Sequence, residues 1–124
     1  MGRAKVFINF SNHPINGWSE GQRNAAMKYG TLEEVPFPRI SPQMNERELK
    51  SLSDKCFSKI KEMISGKEAT VHIMGEMTLT FSLVERLRSI GVRCVASTTE
   101  RNTIEYPDGR KESVFQFVRF REYQ

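Results

Sequence analysis

At 124 residues, with 38% hydrophobic and 27% charged side chains, the chain is long enough to bury one core and too short for two, and its ordinary composition excludes a disordered segment. A net charge of +4 favours an anionic partner, and no run of five Lys or Arg is present to track a long nucleic-acid duplex, so a compact anion held at one place is expected. No eighteen apolar residues run together and the N-terminus leads straight into a strand pattern, which argues against a membrane span and a signal peptide and places the protein in the cytoplasm.

In chain order, Val6 to Phe10 is a continuous β-branched and aromatic run, as expected of a strand buried on both faces of a parallel sheet. The segment from Ser11 through Asn12, His13 and Pro14 to Trp18 is too rich in Asn, Pro and Gly for a regular element. Ser19 and Gln22 have capping-box spacing, predicting a helix to about Tyr29 that Gly30 stops. Leu32 to Val35 reads as a second short strand ended by Pro36 and Pro38. Asn45 and Glu48 repeat the capping-box spacing, and Leu49, Leu52, Cys56, Ile60, Met63 and Ile64 recur on one helical face before Gly66.

Ala69 to Met74 is the third strand and breaks on Gly75. The next helix is patterned by Leu79, Leu83, Val84 and Leu87 and closed by Gly91. Val92 to Ala96 is the fourth strand, followed by an expected loop from Ser97 to Arg101. The β-α-β-α-β-α-β order predicts an α/β fold: a Rossmann-like parallel sheet ordered about 2-1-3-4, with helices on both faces. Beyond it, Pro107-Asp108-Gly109-Arg110 signals a C-terminal β-hairpin over residues 102–123. Val114, Phe115, Phe117, Val118 and Phe120 put apolar bulk on both faces of its last strand, so it is expected to pair with a second copy of the chain.

With that strand order a crevice opens over the carboxyl ends of the strands. Ser11 to His13 and Gly75, Glu76 and Met77 would line it, the last three through a helix N-terminus suited to phosphate. Ser97, Thr98, Thr99 and Arg101 would clamp the phosphate from one side, and Trp18 would stack on a base or serve as a lid. Opposed readings are a plain turn at Ser11 to Pro14, a first-turn acid at Glu76, an N-cap at Ser97 to Thr99, and a core histidine at His72. The chain has neither GxGxxG nor GxxxxGK[ST], which disfavours dinucleotide coenzymes and P-loop chemistry. Neither Cys56 nor Cys94 has metal-ligand spacing; both read as buried hydrophobes, and no metal or cofactor is expected.

The run Phe7-Ile8-Asn9-Phe10-Ser11-Asn12-His13-Pro14, followed by Trp18, Ser19 and Gln22, resembles the opening of small stand-alone CRISPR-associated Rossmann-like proteins, over about the first twenty-five residues. That resemblance implies a homodimer of the kind seen in related CARF domains, holding a cyclic oligoadenylate second messenger across its two-fold axis, and ring-nuclease cleavage of that ligand in a type III CRISPR response. It further implies a ribose 2′-OH set in line with phosphorus, with Ser11, His13 and Arg101 as catalytic groups and the remaining hydroxyls and amides as ligand donors. This chain has Asn12 inserted between Ser11 and His13, where the family form is Ser-His-Pro. A binding-only sensor or sponge is the nearest alternative. A nucleoside-processing enzyme such as a glycosyl transferase, with Glu76 as nucleophile or base, is the other.

Overall fold

The structure, a computed structural model, describes residues 2–124. The apolar run near the N-terminus forms β1 (Lys5–Ser11), and the strand period of two sorts it cleanly. Val6, Ile8 and Phe10 face one core, whereas Phe7 faces another, and Asn9 and Ser11 follow Phe7 by alternation. A one-turn 3₁₀ segment, Ile15–Gly17, leads to α1 (Glu20–Met27), whose N-cap Ser19 accepts from the Gln22 N–H. The expected capping box is half made: the Ser19 hydroxyl takes the Gln22 N–H, but the Gln22 side chain does not return a bond to the Ser19 N–H.

The return into β2 (Thr31–Glu34) runs hard against β1. A β-carbon on Gly30, at φ +157°, would lie 2.5 Å from the Lys5 carbonyl carbon, so glycine alone permits the approach. α2 (Glu46–Met63) has the full Asn45/Glu48 capping box. β3 (Glu68–Met74) and α3 (Met77–Ser89) follow, then β4 (Arg93–Glu105) and β5 (Lys111–Glu122).

The strand order is β2-β1-β3-β4-β5. The first four strands are mutually parallel in the expected order, but β5 runs antiparallel to β4, so the sheet is mixed. The larger correction concerns Ser97 to Arg101. These residues are not a loop but the middle of one thirteen-residue strand that runs from the parallel sheet into the hairpin. Thr and Ser tolerate a pleated, half-solvated surface, and pairing with β5 satisfies their backbone, so polarity there does not signal a turn. β3 pairs β4 only as far as Val95, whereas β4 and β5 pair from Val95/Glu122 to Glu105/Lys111. The distal hairpin is therefore a two-stranded ribbon standing off the sheet.

Two cores flank the sheet. α2 and α3 cover one face, where Ile60, Leu79, Leu83 and Leu87 are fully buried against Ile8, Val71 and Ile73, each such side chain contributing about 2 kcal/mol of burial. α1 covers the other with a smaller aromatic core of Phe7, Trp18 and Phe120.

Candidate functional site

On the α1 face the strand alternation sets polar groups of β1, β3 and β4 beside each other. Asn9, His72 and Ser97 come from three adjacent strands. Asn9 is 1% exposed and His72 wholly buried, so every polar atom they carry needs a partner. The Asn9 amide donates through Nδ2 to the His13 carbonyl (3.0 Å) and to Glu34 Oε2 (2.8 Å). Both of those are acceptors, which fixes the amide orientation and turns Oδ1 toward Ser11 and His72.

Asn9 Oδ1 then accepts from Ser11 Oγ at 2.7 Å and from His72 Nδ1 at 2.8 Å. The histidine must carry its proton on Nδ1, leaving the Nε2 lone pair free. Ser97 Oγ lies 3.2 Å from that nitrogen. Met74 Sδ is also within 3.0 Å of Ser97 Oγ, but a thioether is a weak acceptor beside an imidazole nitrogen, so the hydroxyl proton goes to His72. Met74 Sδ keeps the Ser97 backbone N–H. Burial, reinforced by His13 nearby, lowers the His72 pKa from 6.5 to about 4, so the ring is neutral at physiological pH.

Glu34 anchors the far end of the chain of bonds, its Oε2 also accepting the Ile15 N–H at 2.7 Å. Trp18 closes the top: its indole N–H donates to the His13 carbonyl at 2.9 Å, and its ring stands edge-on to His72 and to Phe7. Trp18 is thus a wall packed into the aromatic core, 5% exposed. Above this network lies a cavity of about 500 Å³ lined by His13, Trp18, Gln22, Ser97, Thr99 and Phe117, among others.

Of the residues expected at the ligand, His13, Trp18, Ser97 and Thr99 meet at this cavity. Ser11 lies buried beneath it in the hydrogen-bond network. Asn12 continues the β1–β3 ladder through its N–H to the Met74 carbonyl and is exposed at the turn. Thr98 alternates to the opposite face, its hydroxyl bonded to the Arg119 backbone.

Arg101 falls on the same strand face as Ser97 and Thr99 by alternation but further along the ribbon. Its guanidinium engages Ser113 Oγ at 3.1 and 3.0 Å and does not line the cavity.

The turn from Gly75 to Met77 has a different task from the one expected. A β-carbon at Gly75 would run into the Phe37 ring, so that glycine serves packing. Glu76 is the α3 N-cap: its carboxylate accepts from Thr78 Oγ1 and from the Leu79 N–H (2.8 Å). The Thr78 hydroxyl first, and the Leu79 N–H second, hold the Glu76 carboxyl below its usual range. A carboxylate already occupies the helix N-terminus, which repels a phosphate there. Met77 is 83% exposed on the first turn. Sequence alone does not assign Asn9 and His72 to the site; the signal that could is a polar residue standing in the middle of each apolar strand run.

Among the described residues, no three His, Cys, Asp or Glu side chains gather as a metal site would require. No helix is long and apolar enough to cross a membrane among the same residues.

The fold and site define an α/β protein with a mixed five-stranded sheet, a C-terminal hairpin, and a cavity walled by polar and aromatic groups over the carboxyl ends of β1 and β3. The chain belongs to the family described as "Uncharacterized protein MJ1673 family", whose model matches residues 5–121 and so spans every element of the site. No curated protein matches it in sequence.

Proposed function

We propose that the chain is a cytoplasmic, Rossmann-like ring nuclease that binds a cyclic oligoadenylate in this cavity and opens it without metal, as in type III CRISPR signalling. The observation that carries the reading is the meeting of His13, Ser97 and Thr99, distant in sequence, with the aromatic walls Trp18 and Phe117 around one cavity. Hydroxyl and imidazole groups suit phosphate oxygens, and aromatic side chains offer faces on which adenine can stack. The resemblance of the opening residues to CRISPR-associated Rossmann-like proteins points the same way. Incubation with cyclic tetra- and hexa-adenylate in EDTA, followed by chromatography, is expected to yield linear products. Binding without new products would leave a sensor or sponge, and an absence of both would remove the nucleotide. Thr99→Glu, on the exposed rim, is expected to weaken binding about tenfold or more by like-charge repulsion with the melting temperature held. The glycosyl-transferase alternative would rest on Glu76, whose carboxylate accepts from the Leu79 N–H as the α3 N-cap.

The same proposal includes a homodimer through the hairpin. A two-stranded ribbon is marginal alone in water, and this one exposes Phe115 (66%) and Val118 (54%), with Ile104 and Val114 on its length. A second copy would cover these and enclose two shallow half-sites around a symmetric ligand. Phe115→Glu is expected to shift a dimer to monomer on a sizing column; unchanged elution would place the contact elsewhere. Phe117 is a poorer choice for this test because it packs 4.9 Å from Phe120 within the protomer.

A further inference from the structure

The hydrogen-bond chain under the cavity has a direction. Ser97 Oγ–H points to His72 Nε2, His72 Nδ1–H to Asn9 Oδ1, and the Asn9 amide to Glu34. A hydroxyl, a base within hydrogen-bond reach, and a third group that orients the base are the components of an activated nucleophile. The outer end of the chain opens on the cavity, because Ser97 is half-buried and lines it, whereas Asn9 and His72 are sealed beneath. Ser11 shares Asn9 Oδ1 from the other side and so helps hold the amide that holds the ring. Burial alone requires that the second nitrogen of His72 find a partner; what suits the pair to chemistry is that this partner is a hydroxyl lining a cavity.

We infer that Ser97 is a nucleophile toward an electrophilic phosphorus, with His72 as its base and Asn9 as the positioning residue. The phosphodiester is taken from the reading above; the activated serine is not. In the first step Oγ bonds to phosphorus as one P–O ester bond breaks; the Oγ proton passes to His72 Nε2, and the departing alkoxide takes a proton from a water in the cavity. In the second, the hydroxide so formed attacks the same phosphorus, the P–Oγ bond breaks, and His72 returns its proton to Oγ. The net change is hydrolysis of one ester bond, leaving a phosphomonoester, a free hydroxyl and the serine unchanged. The attacking oxygen comes from the protein, so a ribose 2′-OH is not required. Thr99 and Gln22 also line the cavity, where they could receive the non-bridging oxygens.

The test uses diisopropyl fluorophosphate on the whole chain, with the adduct mapped by peptide mass spectrometry. The expected result is one diisopropylphosphoryl group on Ser97, formed about a hundredfold faster in the folded chain than in urea. It should be lost in Ser97→Ala, kept in Thr98→Ala, and slowed about a hundredfold in His72→Gln. If His72→Gln does not fold, the folded-against-urea comparison decides alone. No Ser97 adduct, or equal rates folded and unfolded, overturns the inference. So does cleavage of a cyclic oligoadenylate by Ser97→Ala at the wild-type rate, which would leave the proposed function standing. Selective labelling of Ser97 in a chain that leaves cyclic oligoadenylates intact would support the nucleophile and overturn that substrate instead.

Discussion

Asn9→Ala is expected to lower the stability of the chain by roughly 2 to 4 kcal/mol, seen as a fall in the urea midpoint with an unchanged slope. The size follows from what the substitution strands. Asn9 satisfies four groups at once: the Ser11 hydroxyl, His72 Nδ1–H, the His13 carbonyl and Glu34. The His13 carbonyl keeps Trp18 as a donor and Glu34 keeps the Ile15 N–H, so those two lose little. His72 Nδ1–H is buried and loses its acceptor, whereas the Ser11 hydroxyl keeps the His13 carbonyl at 3.1 Å. The orphaned N–H costs about 1 to 3 kcal/mol, and the small void left by the amide adds to it. Asn9→Asp keeps the acceptor oxygen but replaces the donor with a second carboxylate oxygen facing Glu34, so it is expected to be destabilised too, and more at pH 7 than at pH 4. A loss under about 1 kcal/mol for Asn9→Ala would mean that the four bonds are not closed in solution.

The second large effect is a dependence of stability on pH. Burial drops the His72 pKa to about 4 in the folded chain, against 6.5 for the free side chain. Between those values the unfolded chain binds a proton that the folded one refuses, so stability rises with pH across the window. The contribution is complete above about pH 6.5, shrinks as pH falls, and levels off below about pH 4, for a total on the order of 3 kcal/mol. Urea titrations at pH 7 and pH 4.5 on the wild type and on His72→Gln measure it. The difference between the two pH values should be smaller in the variant by most of that amount; equal pH dependence in both would mean that the ring is solvated or charged in the fold.

Both effects concern a cluster that local sequence reading treats as background. His72 stands in the Val71-His72-Ile73 run and Asn9 in Ile8-Asn9-Phe10, and a single polar residue in a strand is ordinarily a satisfied core group. That reading holds as far as burial goes. What it could not supply was the partners, since His72 is bonded to residues 63 and 25 positions away. Glu76 shows the opposite case. A carboxylate at a helix start is legible locally, but its task is that of the N-cap and not of a first-turn acid, since its side chain accepts from the Leu79 N–H. Arg101 reads from sequence as part of a phosphate clamp on a loop, because its guanidinium can bond phosphate oxygens in two places. As a strand residue its direction is set by the pleat, and its reach is taken up by Ser113.

The sequence by itself determined the elements and most of their order. Apolar periodicity, Asn45 and Ser19 at helix starts, and the Asp108-Gly109 turn are local signals whose energetics act within a few residues. Only the tertiary structure decided that β4 continues through its polar middle, that β5 turns the sheet from parallel to mixed, and that Ser97, His72 and Asn9 form one directed chain of hydrogen bonds. The reason is register. Whether a strand side chain meets a partner depends on which residue of the next strand stands opposite, and a shift of one position sends every side chain to the other face. That alignment is fixed by the packing of the two cores on either side of the sheet.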